Sequence, residues 1–173
     1  MRRPPFDPPR ALRWLVTLSL LGTVVLTAAA IQSVALRGWM SCGGDFPKCA
    51  GQWVPLADAA ASSQYTAAQI AAEWLHRAIA FLTGLLMLAA TALAWWRVRD
   101  FFLTRWSLTL ATALLPFEAW LGVVTGVPDP DPLYAGLHTV ISLAVFALLC
   151  LAALVLWTHR QRRRNGTAAE QSA

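Results

Sequence analysis

Two stretches of this chain carry no charged side chain over the full thickness of a bilayer, and they constrain the fold more than any other feature. Ala78 to Trp96 is nineteen residues long and Thr139 to Thr158 is twenty. At about 1.5 Å per helical residue they cover roughly 28 to 30 Å, the depth of the hydrocarbon layer. In all, four apolar stretches, at about 14–36, 71–96, 106–127 and 133–157, are long enough to span. Backbone polar groups in lipid must be satisfied within their own segment, so these stretches are helices. The expected fold is all-α, a polytopic four-helix transmembrane bundle occupying 13–158. A composition of 57% hydrophobic and 13% charged residues, with nine tryptophans, excludes an ordinary soluble domain.

The distribution of charge sets the expected topology. Arg2, Arg3, Arg10 and Arg13 precede the first span, Arg97, Arg99 and Arg105 join the second and third, and Arg160, Arg162, Arg163 and Arg164 follow the fourth. By the positive-inside rule both termini and the middle loop are cytoplasmic, as tails at 1–12 and 159–173, and the 37–70 loop is extracytoplasmic. The net charge of +5 therefore orients the chain in the cell membrane and does not indicate nucleic acid, since the basic clusters flank spans instead of interleaving with exposed aromatics. The first span has a basic leader and ends near Ala28-Ala29-Ala30, but its apolar run continues to Leu36, longer than the core of a signal peptide. It is read as a retained helix. The proline-rich leader and the segment from Asn165 onward are expected to be irregular tails without chemistry.

The 37–70 loop is the one long connection. Thr66 and Gln69 have capping-box spacing, which predicts that the second helix begins in the outer aqueous layer, nearly two turns before Glu73. The other outer connection, Pro128-Asp129-Pro130-Asp131-Pro132, is short enough to make the third and fourth spans a tight hairpin. Cys42 and Cys49 lie in the long loop, where a disulfide is permitted and would stabilise by about 2 to 3 kcal/mol in the chain-entropy model. A redox-active dithiol is the rival reading. Zinc would need two further ligands, and the loop has no histidine. Cys150, in mid-span, is expected to be buried packing.

Glu73-Trp74-Leu75-His76-Arg77 puts three ionisable groups at the mouth of the second apolar helix. His76 and His138 each lie twenty-one positions before the first basic residue at the far end of their helices, Arg97 and His159. Imidazoles at matching depth on two helices suit a planar cofactor held between them, and haem iron takes axial histidines in such bundles. The plainer reading is two unrelated interfacial histidines. Ala80, Thr83 and Gly84 follow His76 on one face and make a surface small enough for a flat macrocycle. Glu73 is read either as a partner of Arg77 or as a proton acceptor at the cofactor edge. Arg77 pairs with a propionate or snorkels to the interface. Glu118, an acid inside the third span, is a functional candidate by default, expected about 12 Å deeper than the histidines. Pro116 loosens the backbone beside it, and Gly122 and Gly126 have the spacing of a close helix contact.

These residues together resemble the haem A synthase family. The run Cys42-Gly43-Gly44-Asp45-Phe46-Pro47-Lys48-Cys49-Ala50-Gly51 is similar to its loop signature, and Glu73-Trp74-Leu75-His76-Arg77 to its Glu-x-x-His-Arg motif. Leu121 to Gly126 and Leu137-His138 resemble its third helix and the ligand of its fourth. The resemblance implies that His76 and His138 are axial haem ligands and that Glu73 is an essential acid beside the substrate. It also implies a Cys42–Cys49 disulfide, with or without a redox role. The implied activity is oxidation of a methyl group of farnesylated haem O to the formyl group of haem A, with haem b, haem O or haem A as the bound species and haem O synthase as a partner.

This chain departs from the family in carrying Glu118 where glutamine is usual, and four spans where eight are typical. A homodimer in the lipid would restore eight helices. Three other functions are weighed against this one. A b-type cytochrome would use the same histidines for electron transfer alone. A quinone-linked disulfide oxidoreductase would need a second cysteine pair, which Cys150 cannot complete. A haem-free scaffold would need neither histidine.

Overall fold

The computed structural model of the chain describes residues 9–44, 46, 48–55, 64–98 and 101–171, with side chains as far as 161 and at 165. Arg2, Arg3 and Arg99, the signature residues Asp45 and Pro47, and most of the expected leader lie outside the described residues. Four helices follow in order: α1 Arg10–Ala35, α2 Ala67–Arg97, α3 Phe102–Thr125 and α4 Pro132–Gln171. Each is long and apolar enough to cross a membrane, α4 over Pro132–Gln161, so the chain is a multi-pass, all-α membrane protein.

The helix ends depart from the apolar runs for local reasons. Helix α2 starts at Ala67 because Thr66 Oγ1 accepts from the Gln69 backbone N–H while Gln69 Oε1 accepts from the Thr66 N–H, the capping box its spacing predicts. Helix α3 ends at Thr125, two residues before the end of the apolar stretch, and continues unbroken through Pro116. Helix α4 corrects an expectation: it continues past the apolar stretch and, instead of yielding to an irregular tail at Asn165, runs to Gln171. Arginine, glutamine and alanine beyond the span are strong helix formers, and the single Gly166 is too small a penalty to stop the propagating helix.

Helix α1 packs along α2, and α3 along α4. Lighter contacts join α2 to α3 and α1 to α4, and among the described residues neither diagonal pair is in contact. Helices α1 and α2 approach closely at Gly22, where an added Cβ would lie 2.6 Å from Thr83 Oγ1. Thr83 is therefore committed to α1 and is not part of a cofactor surface below His76. Gly84 turns toward α3, where an added Cβ would meet Leu115 at 3.6 Å.

Only the half of the bundle nearer the basic clusters has a continuous apolar core. Leu12 and Val16 of α1, Met87, Ala90 and Ala94 of α2, Leu108 and Ala111 of α3, and Val145, Leu149, Ala152 and Leu156 of α4 are all buried there. Around that end Arg97 sits over Trp96 at 4.1 Å and Arg105 over Trp95 at 4.5 Å, the amphipathic pairs expected at a membrane surface. Toward the loop end the buried positions become small or polar: Thr23, Ala29, Ser33, Ala72, Glu73 and Arg77, with Leu121 the one large aliphatic side chain of the helices buried at the level of the histidines.

The loop end is closed by hydrogen bonds. Helix α1 stops in a turn where Gly38 N–H donates to Ser33 O at 2.7 Å and Arg37 N–H to Val34 O at 2.9 Å, with Arg37 itself at φ 55°. This is the paired-bond pattern that satisfies the last carbonyls of a helix. Gln69 Nε2 donates to Leu36 O at 3.0 Å and joins the end of α1 to the start of α2. Gly38 permits the junction, since a Cβ there would lie 2.7 Å from Gln69 O.

Candidate functional site

Glu73 and Arg77, one turn apart on α2, form a buried ion pair with Arg77 Nε donating to Glu73 Oε1 at 2.8 Å. Ser33 Oγ on α1 donates to Glu73 Oε2, also at 2.8 Å. The remaining guanidinium nitrogens hold the cysteine loop: Nη1 donates to Lys48 O at 3.1 Å and Nη2 to Gly43 O at 2.7 Å. Of the two readings of Glu73 open in the sequence, the geometry realises the pairing with Arg77. All three guanidinium nitrogens are engaged within the chain, through three of the five N–H donors, so two remain for another acceptor such as a propionate.

The clamped loop is covalently closed. Cys42 and Cys49 are joined by a disulfide, and both residues are buried against Ile70, with Tyr65 and Trp74 packed over them. Their sulfurs are bonded to each other and not arranged around a metal. Two exchanges with Gln52, from Cys49 N–H to Gln52 O and from Gln52 N–H to Cys49 O, fix the turn beyond the bridge. Trp74 Nε1 donates to Trp53 O at 2.6 Å, and Trp39 Nε1 to Val127 O at 3.4 Å, so the loop is anchored to α2 and to the end of α3.

His76 and His138, on the diagonal helices α2 and α4, are near enough to interact electrostatically. The His76 ring also meets the Leu26 backbone carbonyl of α1, with Glu73 and Arg77 in electrostatic reach. Its Nδ1 is buried and has no hydrogen-bond partner among the described residues. A buried imidazole nitrogen left unsatisfied costs about 1 to 3 kcal/mol, and Nδ1 of His138 and of His159 share this state.

Glu118 is not far below the histidines, contrary to the 12 Å expectation. Its Oε2 lies 2.8 Å from His138 Nδ1. His138 is not at the membrane surface but well inside α4. With α3 stopping at Thr125 and α4 starting at Pro132, Glu118 is seven residues before one end and His138 six residues after the other. That is about 10 Å and 9 Å along the antiparallel axes, nearly level. Gly122, one turn after Glu118, faces the same imidazole, since an added Cβ would sit 3.8 Å from His138 Cε1. Gly122 thus lies beside the ring, where a Cβ would make an ordinary contact. Cys150 is free and half-buried instead of enclosed in the core, because its side of α4 is not covered by another helix.

Sequence reasoning missed Ser33, Gln69 as a link between helices, and Ser142, whose Oγ donates to Glu118 Oε2 at 3.1 Å. A signal existed for two of them. Ser33 is a polar residue within an apolar span, and Ser142 lies one turn from His138 on the same face.

A family model described as cytochrome oxidase assembly protein matches residues 12–173. A protoheme IX farnesyltransferase of Halobacterium salinarum is 31% identical over 126 residues, covering 73% of this chain and 26% of that protein. A heme A synthase of Bacillus pumilus is 30% identical over 149 residues, covering 85% of this chain and 45% of the relative. Another, from Geobacillus kaustophilus, is 26% identical over 149 residues, with 86% and 44% covered. The chain thus spans between about a quarter and a half of the length of the curated relatives it matches. No solved structure matches it. Matched by the family model over residues 12–173 and related to heme A synthases along most of its length, the chain belongs to the haem A synthase family of cytochrome oxidase assembly proteins.

Proposed function

We propose that this protein is a haem A synthase-like membrane oxidoreductase that binds haem between His76 and His138 and oxidises a methyl group of haem O to the formyl group of haem A. The observation that carries the reading is the placement of two histidines on diagonal, non-contacting helices, within electrostatic reach of each other, at the level where the apolar core gives way. The residues fit a haem: His76 offers a buried nitrogen without a partner, and Gly122 lies beside the His138 ring.

A haem held by His76 and His138 would supply the redox chemistry; converting methyl to formyl with one water releases four protons and four electrons, and an external electron acceptor takes up the electrons. The chain's own residues would do the rest. His76 and His138 would hold the macrocycle. Glu73, three residues before His76 and held by Ser33 and Arg77, is the carboxylate assigned to take protons beside it. Arg77 and the Cys42–Cys49 bridge hold that edge of the site together, and the buried disulfide serves as a staple. The exposed aliphatic faces of the helices suit lipid and a farnesyl chain.

The protein is placed in the cell membrane with this loop extracytoplasmic and both termini cytoplasmic, as the arginine clusters favour. A homodimer of the four-helix unit supplies the eight helices typical of the family. The haem O-forming farnesyltransferase is the natural donor partner, a reading supported by a relative of that name that contains a stretch similar to this chain.

Purified protein is titrated with haem O under electron-accepting conditions, and the extracted haem is identified by mass. Haem A as product, with binding lost in both His76→Ala and His138→Ala, supports the reading. Bound but unchanged haem O leaves a b-type cytochrome, and full haem uptake in both histidine variants overturns the ligand assignment.

A further inference from the structure

Glu118, half-buried within α3, is an acid that the proposed function leaves without a task. An ionisable group in the apolar part of a span is costly and is kept where it has a specific partner. Its partners here are on α4. Oε2 lies 2.8 Å from His138 Nδ1 and accepts from Ser142 Oγ at 3.1 Å, and the Glu118 side chain is only 13% exposed. The four positions form a ladder: Glu118 and Gly122 one turn apart on α3, His138 and Ser142 one turn apart on α4. The contact between Oε2 and Nδ1 is at hydrogen-bond distance, but the ring is not aligned for the bond, and Glu118 Oε1 has no partner among the described residues. The imidazole therefore has one edge against an oxygen.

We propose that Glu118 is the positioning residue for His138: its Oε2 takes the Nδ1–H of the imidazole, which leaves Nε2 as the coordinating nitrogen, while Ser142 fixes the carboxyl and Gly122 lies beside the ring. An oxygen acceptor behind a ligating histidine selects the tautomer, sets the ring plane and strengthens the ligand, and its loss typically costs 10- to 100-fold in affinity. This rests on the haem-ligand reading of His138. It goes beyond that reading in assigning the coordinating nitrogen and the group that selects it.

The test is a titration of the purified full chain with haem b, following the Soret band, and a redox titration of the bound haem, in wild type, Glu118→Leu, Glu118→Gln, Ser142→Ala and His138→Ala. Glu118→Leu is expected to weaken binding by at least tenfold. It also raises the midpoint potential, because a weaker ligand stabilises the ferric state less; a tenfold change in the ferric-to-ferrous affinity ratio is about 59 mV. Glu118→Gln keeps an oxygen acceptor and recovers most of the affinity. Ser142→Ala shifts the potential in the same direction by less and does not depend on the leucine variant folding. In the His138→Ala background, Glu118→Leu adds no further loss of affinity. Wild-type affinity and potential in both Glu118→Leu and Ser142→Ala, with binding lost in His138→Ala, would overturn the positioning role and leave the ligand reading standing. Undiminished haem uptake by His138→Ala would remove the ligand reading itself, and this inference with it.

Discussion

The two ends of this bundle are built on opposite principles. At the end near the arginine clusters, all four helices interlock through Leu12, Met87, Ala90, Ala94, Leu108, Leu149 and Leu156, and Arg–Trp pairs surround them. At the loop end the same helices hold Ser33, Glu73, Arg77, His76, Glu118 and His138, and the order comes from hydrogen bonds, an ion pair and a disulfide. An apolar core is non-directional and can be filled by any side chains of the right volume. A polar constellation fixes individual atoms through directional bonds. Apolar packing and directional polar order are thus segregated along the length of the bundle.

The sharpest way to break this contrast is to remove Arg77. Arg77→Ala leaves Glu73 buried with Ser33 alone and deprives Gly43 O and Lys48 O of their donor. Breaking a buried pair in this way costs about 3 to 5 kcal/mol. The expected result is a lower unfolding midpoint in detergent together with protease cleavage confined to the 36–66 loop. Leu149→Ala at the packed end is expected to cost about 2 to 5 kcal/mol as a cavity. It should lower the midpoint without loop cleavage and, in the folded protein, leave haem affinity unchanged; a loss of affinity would show that the two ends are coupled. Paired Cys42→Ser and Cys49→Ser substitution is expected to destabilise by about 2 to 3 kcal/mol and to release the same loop as Arg77→Ala. If the bridge and the clamp act on one element, the triple variant falls short of the sum. The smallest effect has the opposite sign. Arg37→Gly relieves a left-handed residue at the α1 turn and should stabilise by about 1 kcal/mol, read as a higher unfolding midpoint, without altering ligand binding.

Much of the frame was legible in the chain itself. Uncharged runs gave four spans because lipid tolerates no unsatisfied backbone, and the Thr66–Gln69 spacing placed the start of α2 because a capping box is a local structure. The equal distances of His76 and His138 to their basic flanks agree with the two being within electrostatic reach of each other. What failed depended on helix ends or on partners far away in sequence. Glu118 was misplaced because the histidines were set at the membrane surface, whereas His138 lies six residues inside α4, about 9 Å along its axis and nearly level with Glu118. Arg77 was open between a propionate, the interface and Glu73, because the carbonyls of Gly43 and Lys48 come within its reach only when the loop folds back on α2.

The sequence by itself therefore determined the class of fold, the four spans, the cysteine pair and the residue types at the mouth of α2. These follow from solvent, period and spacing, which act along the chain. The tertiary structure alone decided that Ser33 and Arg77 hold Glu73, that Gly22 commits Thr83 to α1, and that Glu118 stands against His138. Each depends on the rotation and level of one helix relative to another, and neighbours in sequence carry no record of that.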